Sequence, residues 1–143
     1  MGRPAAVWAG WRAAALLACC ALLLSGCMLM SGARTSSDVL PDGGNINATF
    51  VGADGRTEQT LDTGTPKTSL NAIAIVQAER GELQLELLNA DGSVALAVKG
   101  RPDEAVSRSG TVTTDADGRL RYRISATGAR NGSYQVFFQR AAP

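Results

Sequence analysis

Gly81-Glu82-Leu83-Gln84-Leu85-Glu86-Leu87-Leu88-Asn89-Ala90-Asp91-Gly92-Ser93-Val94-Ala95-Leu96-Ala97-Val98 decides how the chain is read. Leu83, Leu85 and Leu87 fall on one parity, and Glu82, Gln84 and Glu86 on the other. A period of two puts alternate side chains on opposite faces of a strand. Asn89-Ala90-Asp91-Gly92 supplies turn chemistry, and Val94, Leu96 and Val98 resume the alternation, so the stretch predicts a β-hairpin with one apolar face.

The same pattern extends in both directions. Upstream, Ile46, Ala48 and Phe50 alternate with Asn45, Asn47 and Thr49, followed by a turn at Asp54-Gly55 and a second short strand over Thr57–Leu61. Thr63-Gly64-Thr65-Pro66 breaks the chain. Leu70–Ala78 is apolar on both parities, which suits a strand covered on two sides; Ile73, Ile75 and Val76 favour strand over helix. Downstream, residues 101–108 read as a polar connection, Gly110–Thr114 as a short strand and Asp115-Ala116-Asp117-Gly118 as a turn. Leu120, Tyr122, Ile124 and Ala126 then form an inward face, with Arg119, Arg121 and Arg123 outward. Arg130-Asn131-Gly132 turns the chain, and Tyr134, Val136 and Phe138 close the set. The expected fold is all-β: an antiparallel β-sandwich or jelly roll of about seven to eight strands over residues 45–143.

The N-terminal part has a different composition. Arg3 and Arg12 precede an uncharged apolar run, Ala13–Leu24, too short to span a bilayer core that needs roughly 20 apolar residues. The run ends in Leu24-Ser25-Gly26-Cys27. This resembles the lipobox of bacterial lipoprotein signal peptides: an aliphatic residue, two small ones, then cysteine. The resemblance implies cleavage between Gly26 and Cys27, and a diacylglyceryl group on the Cys27 Sγ. Leu16-Leu17-Ala18-Cys19 also fits the pattern, but it would leave a truncated apolar run. A single uncleaved membrane helix stretched to Met30 is the bland alternative. Two or three acyl chains on one residue make a lasting anchor where one chain gives only reversible binding. Residues 1–26 are therefore expected to be a signal peptide, and 27–44, rich in Ser, Gly and Pro, an unpacked tether. The expected location is the cell membrane or outer membrane, lipid-anchored and facing away from the cytoplasm.

A second resemblance covers Gly81 to Phe138. Gly81–Leu87, Asn89-Ala90-Asp91-Gly92 and Gly132-Ser133-Tyr134-Gln135-Val136 are similar to the bacterial pre-peptidase C-terminal domain, a β-sandwich. It implies a role in secretion support, binding or spacing rather than catalysis.

Composition narrows the chemistry. The 143 residues contain no histidine, which removes Ser-His-Asp and Cys-His nucleophile activation and histidine-held zinc. All three cysteines lie at or before Cys27, so the folded part is expected to lack disulfides. Arg3 and Arg12 leave with the leader, so 14 Lys+Arg become 12 against 13 Asp+Glu, close to −1. That balance argues against a nucleic-acid partner. No catalytic residue, cofactor or metal site is expected. A loose calcium site would need Asp115 and Asp117 together with Asp103 or Glu104, and Asp-Gly pairs are in any case turn signals. Two features are candidate ligand contacts: the stripe Arg119, Arg121 and Arg123, and Phe137, which falls on the outward parity between Gln135 and Gln139. The stripe can equally pair with Glu82 and Glu86 across strands. The expected partners are membrane lipid through Cys27 and an envelope glycan or protein. The expected role is a non-catalytic binding or accessory module, or alternatively a structural subunit of an envelope complex.

The anchor has a direct check. Cys27→Ser is expected to release the protein from the membrane or leave the precursor uncleaved, read by fractionation and mass spectrometry. A variant that remains lipidated and membrane-bound overturns the assignment.

Overall fold

Leu83, Leu85 and Leu87 are fully buried, as their spacing requires, but the strand that carries them is much longer than the alternation alone marks. The computed structural model describes residues 27–143; the expected signal peptide lies outside the described residues. Among the described residues all seven elements are strands: β1 (Leu29–Ser31), β2 (Arg34–Leu40), β3 (Gly43–Asp62), β4 (Ser69–Leu88), β5 (Val94–Lys99), β6 (Val106–Thr113) and β7 (Arg119–Arg140). They pair antiparallel throughout, in the order β1-β3-β7-β4-β5, with β2 also on β3 and β6 also on β4.

β3, β4 and β7 have 20, 20 and 22 residues, several times the usual strand length. Each bends sharply at the same level. The register slips between Ala53 and Gly55 where β3 meets β7, and between Arg80 and Glu82 where β4 meets β7. Gly55, Gly81 and Gly128 all have positive φ, at 104°, 76° and 56°. L-residues with a Cβ rarely adopt that conformation. The extra residues at a bulge bend a strand and increase its twist. Three bends side by side crease one sheet into two layers. One layer holds β2, the first half of β3, the second half of β7, the first half of β4, and β6. The other holds the remaining halves of the three long strands, and β5.

The core lies between these layers. One side contributes Ile46, Phe50, Leu70, Val76, Tyr134 and Val136, and the other Leu83, Leu85, Leu120, Ile124 and Val98. Burying a side chain of this kind contributes about 1.5–3 kcal/mol relative to exposure. Small residues sit where the layers converge on the crease: Ala53 and Ala129 are both 1% exposed or less. Tyr122 and Tyr134 pack with ring centroids 6.4 Å apart, and the Tyr122 hydroxyl donates to Gln59 Oε1 at 2.8 Å. The open end opposite the crease is closed by threonines. Thr63 Oγ1 donates to the Gly118 carbonyl at 2.7 Å, and buried Thr114 Oγ1 accepts from the Thr68 N–H at 2.9 Å.

The all-β antiparallel sandwich is thus as expected, but three local readings need correction. Asp54-Gly55 and Arg130-Asn131-Gly132 are not turns between strands; the chain runs through both inside β3 and β7. β6 begins at Val106, within the stretch read as a polar connection. Residues 27–44 are not an unpacked tether. β1 and β2 are edge strands paired to β3, with Pro41 and Asp42 turning the β2–β3 hairpin. An edge strand is held by its backbone and leaves its side chains in solvent, so Arg34-Thr35-Ser36-Ser37-Asp38 looks like a linker in composition.

The crease predicts a contrast between two glycines. A Cβ on Gly81 would overlap the Gly128 carbonyl, whereas one on Gly92 (φ 85°) would meet open space. Gly92→Ala is expected to cost about 1–2 kcal/mol, the left-handed penalty alone. Gly81→Ala adds the overlap and is expected to cost more than about 3 kcal/mol. Urea unfolding of the two variants tests the difference.

Candidate binding face

Creasing one sheet gives each long strand two outward stretches, one per layer, and they carry different chemistry. The outer face of the β5 layer is charged. Glu58 of β3, Arg123 of β7 and Glu86 of β4 lie side by side in register. Arg123 bridges the other two, with Nη2 to Glu58 Oε2 at 3.3 Å and Nη1 to Glu86 Oε2 at 3.1 Å. Arg121 holds Glu58 through both Nε and Nη2. Arg119 reaches Asp117 at 3.8 Å, and Lys99 reaches Glu82 at 3.2 Å. The arginine stripe is therefore internally compensated, through Glu58 and Glu86 rather than Glu82. The hydrogen bond from Arg121, with a further one from Arg123, holds the Glu58 carboxyl below its ordinary value.

The outer face of the β2–β6 layer is uncharged at its centre, with Arg34 and Asp38 confined to the β2 edge. Phe137 lies across from Ile73 on one side and Asn45 on the other; Ser109 continues the row beyond Ile73. The next row toward the open end is Gly43, Gln139, Asn71 and Thr111. Phe137 is 46% exposed and Ile73 48%. Two large apolar side chains thus touch solvent amid amides and hydroxyls. Thr111 Oγ1 donates to Asn71 Oδ1 at 3.3 Å, and Gln135 Nε2 donates to Asn47 Oδ1 at 3.4 Å. The β2–β3 turn, Leu40 to Gly43, rises at one end and makes the face a groove of about 910 Å³. Asp42 is the one acidic side chain among the described residues that line it.

The candidate contacts expected from sequence are separated by this arrangement. Phe137 is on the uncharged face, and Arg119, Arg121 and Arg123 are on the outer face of the other layer. The residues expected around a loose calcium ion are also apart. Asp115 and Asp117 belong to the turn at the open end, where Asp115 Oδ1 accepts from the N–H groups of Asp117 and Arg119, each at 2.9 Å. Those bonds, the one from Arg119 first, hold the Asp115 carboxyl below its ordinary value. Asp103 and Glu104 lie at the crease end, where the Asp103 N–H donates to the Ala78 carbonyl. Among the described residues no group of three or more His, Cys, Asp or Glu side chains converges.

Sequence reading missed most of the groove. Ile73 was expected to be covered on both sides, and its outward side is open. Asn71 and Gln139 carried a usable signal, since both sit on the outward parity two positions from an exposed apolar residue. The Leu40–Gly43 rim carried none, because it lies in the stretch expected to be a tether.

No protein-family model matches the chain, and no curated protein matches its sequence. Several solved structures show a distant likeness. A carbohydrate-binding module from Cellvibrio mixtus lichenase 5A in complex with cellotriose is 17% identical, with a TM-score of 0.41 over 80% of this chain and 91% of the module. The xylan-binding domain of Paenibacillus barcinonensis Xyn10C is 14% identical, with a TM-score of 0.39 over 83% of this chain and 89% of that one. Peruvianin-I, a cysteine peptidase from Thevetia peruviana latex, is 12% identical, with a TM-score of 0.42 over 78% of this chain and 64% of that one. A likeness this distant, shared by binding modules and an enzyme, leaves function to be read from the side chains.

The charged face predicts an acid limb. A carboxyl whose folded pKa is depressed contributes stability that is present above its unfolded pKa and lost as pH falls through the folded one. Glu58 has an ordinary value of 4.5, so its contribution should fade below that pH. Glu58→Gln is expected to flatten the fall of the urea midpoint between about pH 5 and about pH 3, with less than about 1 kcal/mol lost at neutral pH because the pair is partly solvated.

Proposed function

We propose that the protein is a lipid-anchored bacterial surface protein whose β-sandwich is a non-catalytic module binding a neutral glycan chain. The observation that carries the binding reading is the Phe137 groove: an exposed aromatic ring and Ile73 set among uncharged groups that both donate and accept hydrogen bonds. A sugar has the matching surface. Its C–H faces pack on an aromatic ring, and its hydroxyls exchange hydrogen bonds with amides and hydroxyls. Among the described residues no cation lines this groove to meet an anionic ligand, and a purely apolar one would strip water from the Asn71 and Gln139 amides without replacing its hydrogen bonds. The anchor rests on Leu24-Ser25-Gly26-Cys27, and places the module on the outer side of the membrane that it is attached to.

The β2 edge favours a second reading. All seven of its residues are exposed, and among the described residues it pairs on one side only, with β3. An open edge can accept a strand from another protein, as a structural subunit of an envelope complex would. Stoichiometric co-purification of a protein from detergent-solubilised membranes would favour that reading over the glycan.

Binding to an array of neutral polysaccharides, followed by titration calorimetry on the best of them, tests the module. Phe137→Ala is expected to weaken binding roughly tenfold or more, about 1.4 kcal/mol. Arg121→Ala, on the opposite face, is expected to leave it unchanged. Array-wide silence, or equal binding by Phe137→Ala, overturns the reading.

A further inference from the structure

We infer that the crease end of the sandwich rests directly on the bilayer interface, with Leu29 and Val51 seated among the lipids and the groove held at the far end. The inference rests on Cys27 being the acylated residue and goes beyond that reading, because an anchor alone leaves orientation free. One residue, Met28, separates Cys27 from β1. The Cys27 backbone is packed on the crease itself: a Cβ on Gly55 would lie 2.8 Å from the Cys27 carbonyl oxygen and 3.1 Å from the Met28 Cα. Met28 and Met30 are partly buried against the core, so this segment is docked and adds no slack. Acyl chains on Cys27 would therefore emerge from the body of the domain.

The surface around that point suits a lipid interface. Leu29 is 75% exposed and Val51 57%, at the two ends of the β1 edge, and Gly32 packs against Val51 with room for no Cβ. Arg80 and Arg130 face each other across β4 and β7 at the same level, within reach of headgroup phosphates. Asp54 lies 4.0 Å from Arg130, and Glu79 holds Asn131 beside it, so apolar insertion and the anchor supply the hold rather than net charge. β7 runs away from the crease from Gly132 to Gln139. At about 3.3 Å per residue this sets the groove about 20 Å above the lipid, open to whatever polymer lies there.

The test uses the full chain expressed in bacteria, purified from membranes and reconstituted in phosphatidylethanolamine–phosphatidylglycerol vesicles with brominated acyl chains. Trp8 and Trp11 leave with the leader, so a tryptophan introduced later in the chain is the sole reporter. Leu29→Trp and Val51→Trp are expected to lose roughly half of their emission to bromine quenching, and Val94→Trp and Leu40→Trp almost none. All four replace exposed side chains, so folding is little disturbed. The mass of the Cys27 peptide is read on the same samples. Acylated protein in which the four reporters are quenched alike, or not at all, overturns the docking and leaves the anchor standing. An unmodified Cys27 overturns both.

Discussion

The close approach of Gly81 to Gly128 is the constraint on which the rest depends. β4 can bend against β7 at this level only if it presents no Cβ there, since a Cβ on Gly81 would overlap the Gly128 carbonyl; Gly128 itself is set by its positive φ, with open space where a Cβ would lie. Gly55 completes the row on β3, and the Asp54 carboxylate takes the Gly128 N–H that the bend frees from the ladder. Without the crease, β3, β4 and β7 would be a flat three-stranded ribbon with one apolar face open to water. With it, that face is folded onto itself. The hydrophobic gain of the core therefore passes through a few residues that contribute almost no apolar area.

The same crease separates the two surfaces. β7 offers Arg119, Arg121 and Arg123 to one outer face before the bend, and Gln135, Phe137 and Gln139 to the other after it. β4 offers Asn71 and Ile73 before its bend, and Glu82 and Glu86 after. Charges gathered on one face pair with each other, Arg121 and Arg123 on Glu58 and Glu86, and the centre of the opposite face, around Phe137 and Ile73, carries amides and hydroxyls instead. A neutral, hydroxylated ligand is best discriminated on such a surface. There, shape and hydrogen-bond pairing decide, and no long-range attraction draws in ions.

Parity was the part legible in the sequence. Leu83-x-Leu85-x-Leu87, Leu120-x-Tyr122-x-Ile124 and Tyr134-x-Val136-x-Phe138 all face inward as their spacing requires. The ends of strands were less legible. Asp54-Gly55 and Asn131-Gly132 have the same local chemistry in a crease as in a hairpin, since both need positive φ or a small residue. What distinguishes them is the neighbouring strand: β7 stays paired with β3 on both sides of Asp54, information that no single window contains. Phe137 was legible as outward, but its surroundings were not. Ile73, Asn71 and Asn45 come from strands more than 60 residues away in sequence and become neighbours only through register. The Arg119–Arg123 stripe was legible as a row of charge, and Thr57–Leu61 as a strand, but the register that sets Glu58 beside Arg123 was not.

The pairing order also determines how the fold holds together. β3 lies between β2 and β7, and β7 between β3 and β4, so the last long strand in the chain fills the middle of the sheet. Gly43 pairs with Gln139 and Leu70 with Arg140, contacts that span most of the folded chain. Such contacts are costly to close and reward the chain only once the intervening loops are ordered. The β4–β5 hairpin around Asn89–Gly92 is the exception, local and strongly patterned, with Asp91 Oδ1 accepting from both the N–H and the hydroxyl of Ser93. It is the natural place for order to begin, but by itself it leaves Leu83, Leu85 and Leu87 uncovered. Only when β7 docks beside β4 and bends with it at Gly81 do those leucines leave water. Neither layer is then a separable unit, because each is half of the same three strands.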